Sequence, residues 1–410
     1  MSSTTAIVSM AAISQRWRRA PAYPSGLTTM ERRVPCDPRS RPDQPHPAEG
    51  LVVCLVSSEG GLAASTLIEA VAFARPQEVG LAVPLRFLEY DASRDVANVV
   101  VDGSPNDGTV LTLTHWPGIG QPAGLAADLS AQMAFKFVRS GVAVDAEVVT
   151  NNHFDQDGLV SMYALIERTE ALRYQELLTD VAAAGDFATY RFRHAARASM
   201  AIATYADPHR SPFAADLTGP YEQQCAVLYE RLLERLPDMV LRPEEFTELW
   251  VDEDRELAAS EAALASGAIV IEERPDIDLA VVDIAESEPR RRGHRFAGDE
   301  FVGVHPMAIN NATGCFRILQ VHGCRYTYTD RYESWVQYRT RRPLPRVDLR
   351  PLADELTAID TATAWTASGP SSLTPQLQTV EDSSLHRTDV IHYLIDHLRS
   401  APHAWNPYHG

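Results

Sequence analysis

The chain predicts an α/β fold: a mainly parallel sheet, a helical connector and a second, smaller α/β lobe. Short β-branched runs, at 98–103 and 146–150, alternate with helical periodicities in the first half of the chain. Polar residues stand at the carboxyl ends of those runs, the edge at which open α/β sheets place their ligands. A length of 410 residues exceeds what one core ordinarily takes up. The expected divisions are 1–48, a disordered or loose extension; 49–215, a metal-binding domain; 216–267, the connector; 268–375, the second lobe; and 376–410, a C-terminal helix and tail.

Residues 1–48 are rich in Pro, Arg, Ser and Thr and show no period. Arg16, Arg18 and Arg19 follow the mildly apolar run 6–13, the wrong order for a secretory signal; a start at Met30 is the alternative. Residues 51–56 form a buried-strand candidate, and Glu59-Gly60-Gly61 opens a helix to Ala74 without the spacing of a phosphate-binding loop. Residues 98–103 make a strand ending in Asp102, and 108–118 a strand ending in His115 before Trp116-Pro117-Gly118. A helix is expected from about Pro122, with Leu125, Leu129, Met133 and Phe137 four apart.

The strand at 146–150 leads into Asn151-Asn152-His153-Phe154-Asp155-Gln156-Asp157-Gly158, and Leu159, Met162, Tyr163 and Ile166 then take up a helical period. Residues two apart in extended chain point the same way, so His153, Asp155 and Asp157 converge beyond the strand end. Three unpaired polar groups there call for compensation, which a hard divalent cation supplies. In the plainer alternative Asp157 caps the helix and Gly158 relieves the turn; a cap and a metal site are not exclusive.

Downstream, 190–203 is a helix carrying His194 and Arg197 on one face, groups able to contact an anionic substrate or simply face solvent. Residues 221–266 are helical, with core stripes through Leu228, Leu232 and Leu236 and through Phe246, Leu249, Trp250 and Leu257. The second lobe opens with two short strands, 268–272 and 279–284, across a Pro-Asp turn. A basic run, 290–295, follows: a solvated cluster, or a gate for an anion. A strand at 315–321, a turn at His322-Gly323 and strand-spaced aromatics from Tyr326 to Trp335 come next, then helices opening near Arg350 and spanning 390–398.

A net charge of −18 argues against general nucleic-acid or anionic-membrane binding but admits a small anionic substrate held by local arginines. Five cysteines without a CxxC pair read as reduced, cytosolic thiols. No apolar run approaches the roughly 18 residues of a membrane span. A homodimer is compatible with all of this.

His153 to Gly158 with Ser161 resembles the first motif of the DHH phosphoesterases, the group containing RecJ-type exonucleases, nanoRNA phosphatases and family II pyrophosphatases. Residues 176–187, a helix ending in Asp186, look like that family's last core motif, whose aspartate joins the metal site. The resemblance implies a doubly wound α/β domain and one or two ions of manganese or magnesium. The Asp-His-His motif that names the family is absent from the chain. Asp102 and His115 are expected to supply its ligands from upstream; alternatively one is a turn aspartate and the other a histidine hydrogen-bonded beside Trp116. The Asp102-Gly103, His115-Trp116-Pro117-Gly118 and Asn152-to-Gly158 motifs also resemble a family of uncharacterised bacterial proteins over most of 84–375. Residues 338–353 look like the substrate-binding domain that accompanies DHH cores, with Arg339 and Arg341 as anion-binding groups on a strand. Residues 365–372 take the position of its loop without the glycine run or histidine.

The expected reaction is metal-dependent hydrolysis of a phosphoester or phosphoanhydride. Asp155, Asp157 and Asp186 would be ligands, His153 a ligand or the orienter of the attacking water, and His115 a ligand or general acid. The alternatives are a metal-dependent enzyme acting on a non-phosphate compound in a biosynthetic pathway, and a non-catalytic ligand-binding module.

Overall fold

The computed structural model describes residues 85–289 and 304–408, with the paired backbone segments Thr28–Met30/Cys54–Val56 and Arg291–Arg292/Phe301–Val302. Most of the expected 1–48 extension, the Glu59-Gly60-Gly61 turn with its helix, and most of the 290–295 run lie outside the described residues. The strand expected at 51–56 is seen at Cys54–Val56, where it pairs antiparallel with Thr28–Met30.

The first sheet contains β1 (Arg86–Phe87), β2 (Asn98–Val101), β3 (Thr109–Leu113) and β4 (Val148–Thr150). They run parallel in the order β1-β4-β2-β3. Every residue of β2 and β4 is buried, as parallel strands covered on both faces require. β2 and β3 are neighbours although only residues 102–108 join them, without the helix that a parallel crossover ordinarily uses. Side chains brace this short return. The buried Asn98 amide donates to Asn106 (2.8 Å), Thr109 Oγ1 donates to Asn98 (2.9 Å), and Asn106 reaches Ser93 (2.8 Å). Asp102 turns the chain with φ 46°, a left-handed conformation that Asp tolerates better than most residues.

Helix α1 (Ser130–Ser140) begins eight residues later than the periodicity predicted. Gly124 at φ 78° breaks the segment after Pro122, and Leu129 is extended. The Gln132 side chain accepts from the Asp128 and Leu129 N–H groups, which caps the helix there. α2 (Gln156–Ile166), α3 (Arg168–Arg173), α4 (Gln175–Asp186) and α5 (Arg193–Ala206) follow. The connector is α6 (Tyr221–Leu233), α7 (Leu236–Leu241) and α8 (Thr247–Ser266), and its stripes Leu228, Leu232, Leu236, Leu249 and Leu257 are buried in the same core as the first sheet.

The remaining elements are β5 (Ile269–Arg274), β6 (Leu279–Ile284), α9 (Pro306–Ala312), β7 (Arg317–His322), β8 (Arg325–Asp330), β9 (Arg346–Val347), α10 (Arg350–Ile359), β10 (Trp365–Ala367), β11 (Gln376–Thr379), α11 (Arg387–Ser400) and β12 (His403–Trp405). Six form a second sheet in the order β10-β11-β8-β7-β6-β5, in which only β6 and β7 are parallel. Leu279, Val281, Leu319, Tyr328 and Leu377 on one face form a separate core with Leu352 and Leu356 of α10 and Leu394 of α11. Ile269, Ala280, Val282 and Ile318 on the other join the first core. The two parts therefore share apolar interior. Residues 338–345, expected to include a strand bearing the arginines, are irregular. Their backbone is drawn to Asp128, whose carboxylate accepts from the N–H groups of Arg339 (2.5 Å) and Thr340 (2.8 Å) and from the Thr340 hydroxyl. The fold is thus mixed α/β with a parallel sheet. Among the described residues no helix is long and apolar enough to cross a membrane, and Cys225, Cys315 and Cys324 are free thiols.

Candidate metal centre

The carboxyl ends of β4, β2 and β3, adjacent in the first sheet, meet the end of α4. Asp102 follows β2 directly, His115 lies two residues past β3, His153 and Asp155 sit between β4 and α2, Asp157 is in the first turn of α2, and Asp186 closes α4. All six side chains converge. Donor atoms of Asp102, His115, Asp157 and Asp186 lie within 4.8 Å of one another, and so do those of Asp102, His153 and Asp155. His115 Nε2 stands 3.4 Å from both Asp102 Oδ1 and Asp186 Oδ2, and 4.0 Å from Asp157 Oδ2. His153 Nε2 stands 3.3 Å from Asp102 Oδ2 and 2.9 Å from Asp155 Oδ2.

Local backbone holds this arrangement. Asp155, not Asp157, caps α2, accepting from the Gly158 N–H at 2.8 Å. Asp157 instead accepts from Ser130 N–H and Ala131 N–H, both at 2.7 Å, at the start of α1, where the helix dipole favours an anion. Ser130 Oγ donates to Asp102 at 2.7 Å. The Asp128 carbonyl, 2.5 Å from His115 Nδ1, accepts a hydrogen bond from the N–H at that position and so turns Nε2 with its lone pair into the cluster. Asn151 and the Tyr229 hydroxyl shape the loop: the amide donates to the hydroxyl (2.9 Å), which donates to the His153 carbonyl (3.0 Å). Gly158 permits that packing, since a Cβ there would come within 2.5 Å of both Asn151 Nδ2 and the Tyr229 oxygen.

The cluster carries more negative charge than its own groups neutralise. Burial, reinforced by Asp155, raises the Asp102 carboxyl. Burial and the neighbouring carboxylates push Asp157 and Asp186 well above the usual range. Burial alone would lower His153, but Asp155 and Asp102 overcome it and raise the imidazole to about 10. Burial works against ionised Asp155 as well, yet His153 and the Gly158 N–H hold that group low. Two buried atoms facing the cluster, His115 Nε2 and Asp186 Oδ2, have no hydrogen-bond partner among the described residues. Oxygen donors with imidazole, unpartnered atoms and surplus negative charge together fit a metal ion. The cluster could hold one.

The other four expected site residues stand elsewhere. Arg197 pairs with Asp254 (3.0 Å) and lies over the Trp250 ring, and His194 is exposed. Arg339 Nε donates to Gln121 (2.7 Å). Arg341 is held by Asp278 (2.8 Å), by the Gly314 carbonyl (2.6 Å) and by the Phe316 face, 3.6 Å from its centroid. None of the four lines the cleft of ≈ 890 Å³ that opens onto His153, Asp155 and Asp186. Carboxylates, carbonyls and ring faces nearby hold the three guanidinium groups, and the structure does not bring any of the four residues to the cluster.

The cleft instead has Arg210 and Glu253 on its walls, with Trp116, Tyr221 and Tyr332. Arg210 had a signal in the sequence, Asp207-Pro208-His209-Arg210 at the end of a helical period. Glu253 had none, being one acid among several on α8. It is buried, with His305 Nε2 3.5 Å away. Asp128 was hidden inside a stretch expected to be helical.

Fold and site define an α/β protein with a buried carboxylate–histidine centre at the carboxyl edge of a parallel sheet. Residues 83–409 match a family of unknown function, DUF6687, and the chain belongs to that family. No curated protein and no solved structure matches it.

Proposed function

We propose that the centre holds two divalent ions, manganese or magnesium, and that the protein hydrolyses a phosphoester or phosphoanhydride of a small anionic substrate. On this reading residues 85–215 are a divergent, doubly wound DHH-type phosphoesterase scaffold in which Asp102 and His115 replace the missing motif from upstream. One observation carries it: the six donors fall into two overlapping groups, one of four residues and one of three, with Asp102 common to both. A carboxylate offers two oxygens, and here Oδ1 faces His115 while Oδ2 faces His153. Bound there, the ions would acidify a water and stabilise the attacking and leaving oxygens. The chain's own groups do the rest. The α1 N-terminus and Ser130 fix Asp157 and Asp102, the Asp128 carbonyl sets the His115 tautomer, and Arg210 meets the substrate's anionic end.

A specific observation favours a second reading, an enzyme with the same metal centre acting on a non-phosphate compound. The four basic residues expected to bind phosphate are absent from the cleft, and its rim is aromatic. Elemental analysis of chelator-treated, re-metallated protein, with a screen of phosphodiester, nucleotide and pyrophosphate substrates in manganese, separates the cases. Two equivalents of metal with turnover support hydrolysis of phosphate compounds. Two equivalents without turnover favour the second reading, and no metal leaves a non-catalytic ligand-binding module.

A further inference from the structure

The second sheet turns one face to α10 and α11, and the outer part of its other face toward the cleft. On that face strand register sets Gln320, Thr327, Gln378 and Thr366 side by side across β7, β8, β11 and β10. In the next row Thr329 stands beside Gln376. All six side chains are uncharged and able to donate and accept hydrogen bonds; Thr366 is exposed and the other five are half-buried. A sheet face built only for water ordinarily carries lysine, arginine and glutamate, and these two rows carry none.

The rows are continuous with the metal cleft. Gln320, Thr329 and Gln376 line a cavity of ≈ 70 Å³ whose inner wall includes Asp186 and Tyr332, and those two residues also line the cleft. Gln376 and Gln378 continue outward into a shallower depression with Thr366 and Ser368. Gln320 Oε1 is buried and has no hydrogen-bond partner among the described residues. A buried acceptor of that kind calls for a donor from outside the fold.

We propose that this trough binds the neutral, hydroxyl-rich part of the substrate, a sugar, while the anionic end lies at the metal cluster. A sugar hydroxyl both donates and accepts, which suits carboxamides and threonine hydroxyls equally. The lack of charge along the rows suits a neutral group and not a second anion. Tyr332, stacked on Trp335 at 5.6 Å and 18°, gives the junction between trough and cleft a flat apolar surface for a sugar ring. The proposal rests on the cleft being a substrate site but not on hydrolysis taking place there.

Calorimetric titration of the full chain in manganese buffer with a methyl hexoside and with a ribonucleoside, neither carrying a phosphoryl group, reads the trough without turnover. At least one should bind, and which one binds tells a hexose from a ribose. Gln320→Leu and the near-isosteric Thr329→Val should each weaken that binding about tenfold, the loss of one neutral hydrogen bond, with thermal melts confirming the fold. Binding of neither sugar, or binding that both variants leave intact, overturns the proposal. Inorganic phosphate titrated in parallel reports on the cluster alone, so failure of the trough and failure of the metal centre give different results.

Discussion

Exchanging Asp102 for asparagine removes the carboxylate common to both donor groups while keeping its size and its contact with Ser130. If each group holds an ion, manganese at about a hundredfold over its dissociation constant stabilises the fold by about 2.7 kcal/mol per site, hence about 5 kcal/mol for two. At about 2–4 °C per kcal/mol, the metal-loaded protein should melt about 10–20 °C above the metal-free one. Asp102→Asn should abolish nearly all of that gain. Asp155→Asn, in the three-residue group only, and Asp186→Asn, in the four-residue group only, should each lose about half. In chelator the order reverses, because metal-free wild type buries a carboxylate among three others and the asparagine variant does not. Scanning calorimetry with and without manganese, alongside elemental analysis, reads both effects. An Asp102→Asn protein that keeps two equivalents of metal and the full thermal gain refutes the shared-ligand arrangement.

The metal-free protein should show an inverted pH dependence. Asp157 and Asp186 hold protons more tightly folded than unfolded, so the stability they confer at low pH is lost as pH rises through their raised values. Asp155 acts in the opposite sense, its share being lost as pH falls; melting curves between about pH 5 and 8 should slope downward without metal and flatten with it. Asp128→Ala leaves three donors without an acceptor and should cost about 2–4 kcal/mol in urea unfolding. Gly158→Ala forces a methyl against Asn151 and Tyr229 and should cost about 1–3 kcal/mol while lowering metal affinity. Arg210→Ala should raise KM about tenfold if it meets the anion, whereas Arg341→Ala should leave KM within about twofold because Asp278 and Phe316 already hold that guanidinium.

Five of the six converging residues were legible because strand ends advertise themselves; Asp186, at a helix end, was suggested only by the resemblance to the DHH phosphoesterases. β-branched runs stop at Asp102, at His115-Trp116-Pro117 and at His153-x-Asp155-x-Asp157, and parallel strands bring such stops to one edge. The hairpin of β5 and β6 and the start of α10 were legible from local pattern in the same way. What local pattern does not carry is partnership at long range. Nothing near Pro122 reveals that Gly124 adopts a left-handed conformation, or that Asp128 is wanted by Thr340. Arg341 looks like an anion clamp until Phe316 and Asp278 are seen to hold it. Helical period told core from surface along α8, yet it could not show that buried Glu253 faces a cleft whose other walls include residues as distant as Trp116, His153 and Tyr332.

The loop that presents His115 takes its backbone partners from far along the chain: Gln337 N–H donates to the His115 carbonyl at 2.8 Å, and Asp128 binds Arg339 and Thr340. A fragment ending at residue 267 would keep all six donor side chains but lose the residues that hold one of them in place. The centre is therefore not portable. Transplanting the first sheet alone onto another protein would carry over the donors without the alignment that makes them a set, and any insertion between β8 and β9 would be felt at the far edge of a sheet it never touches.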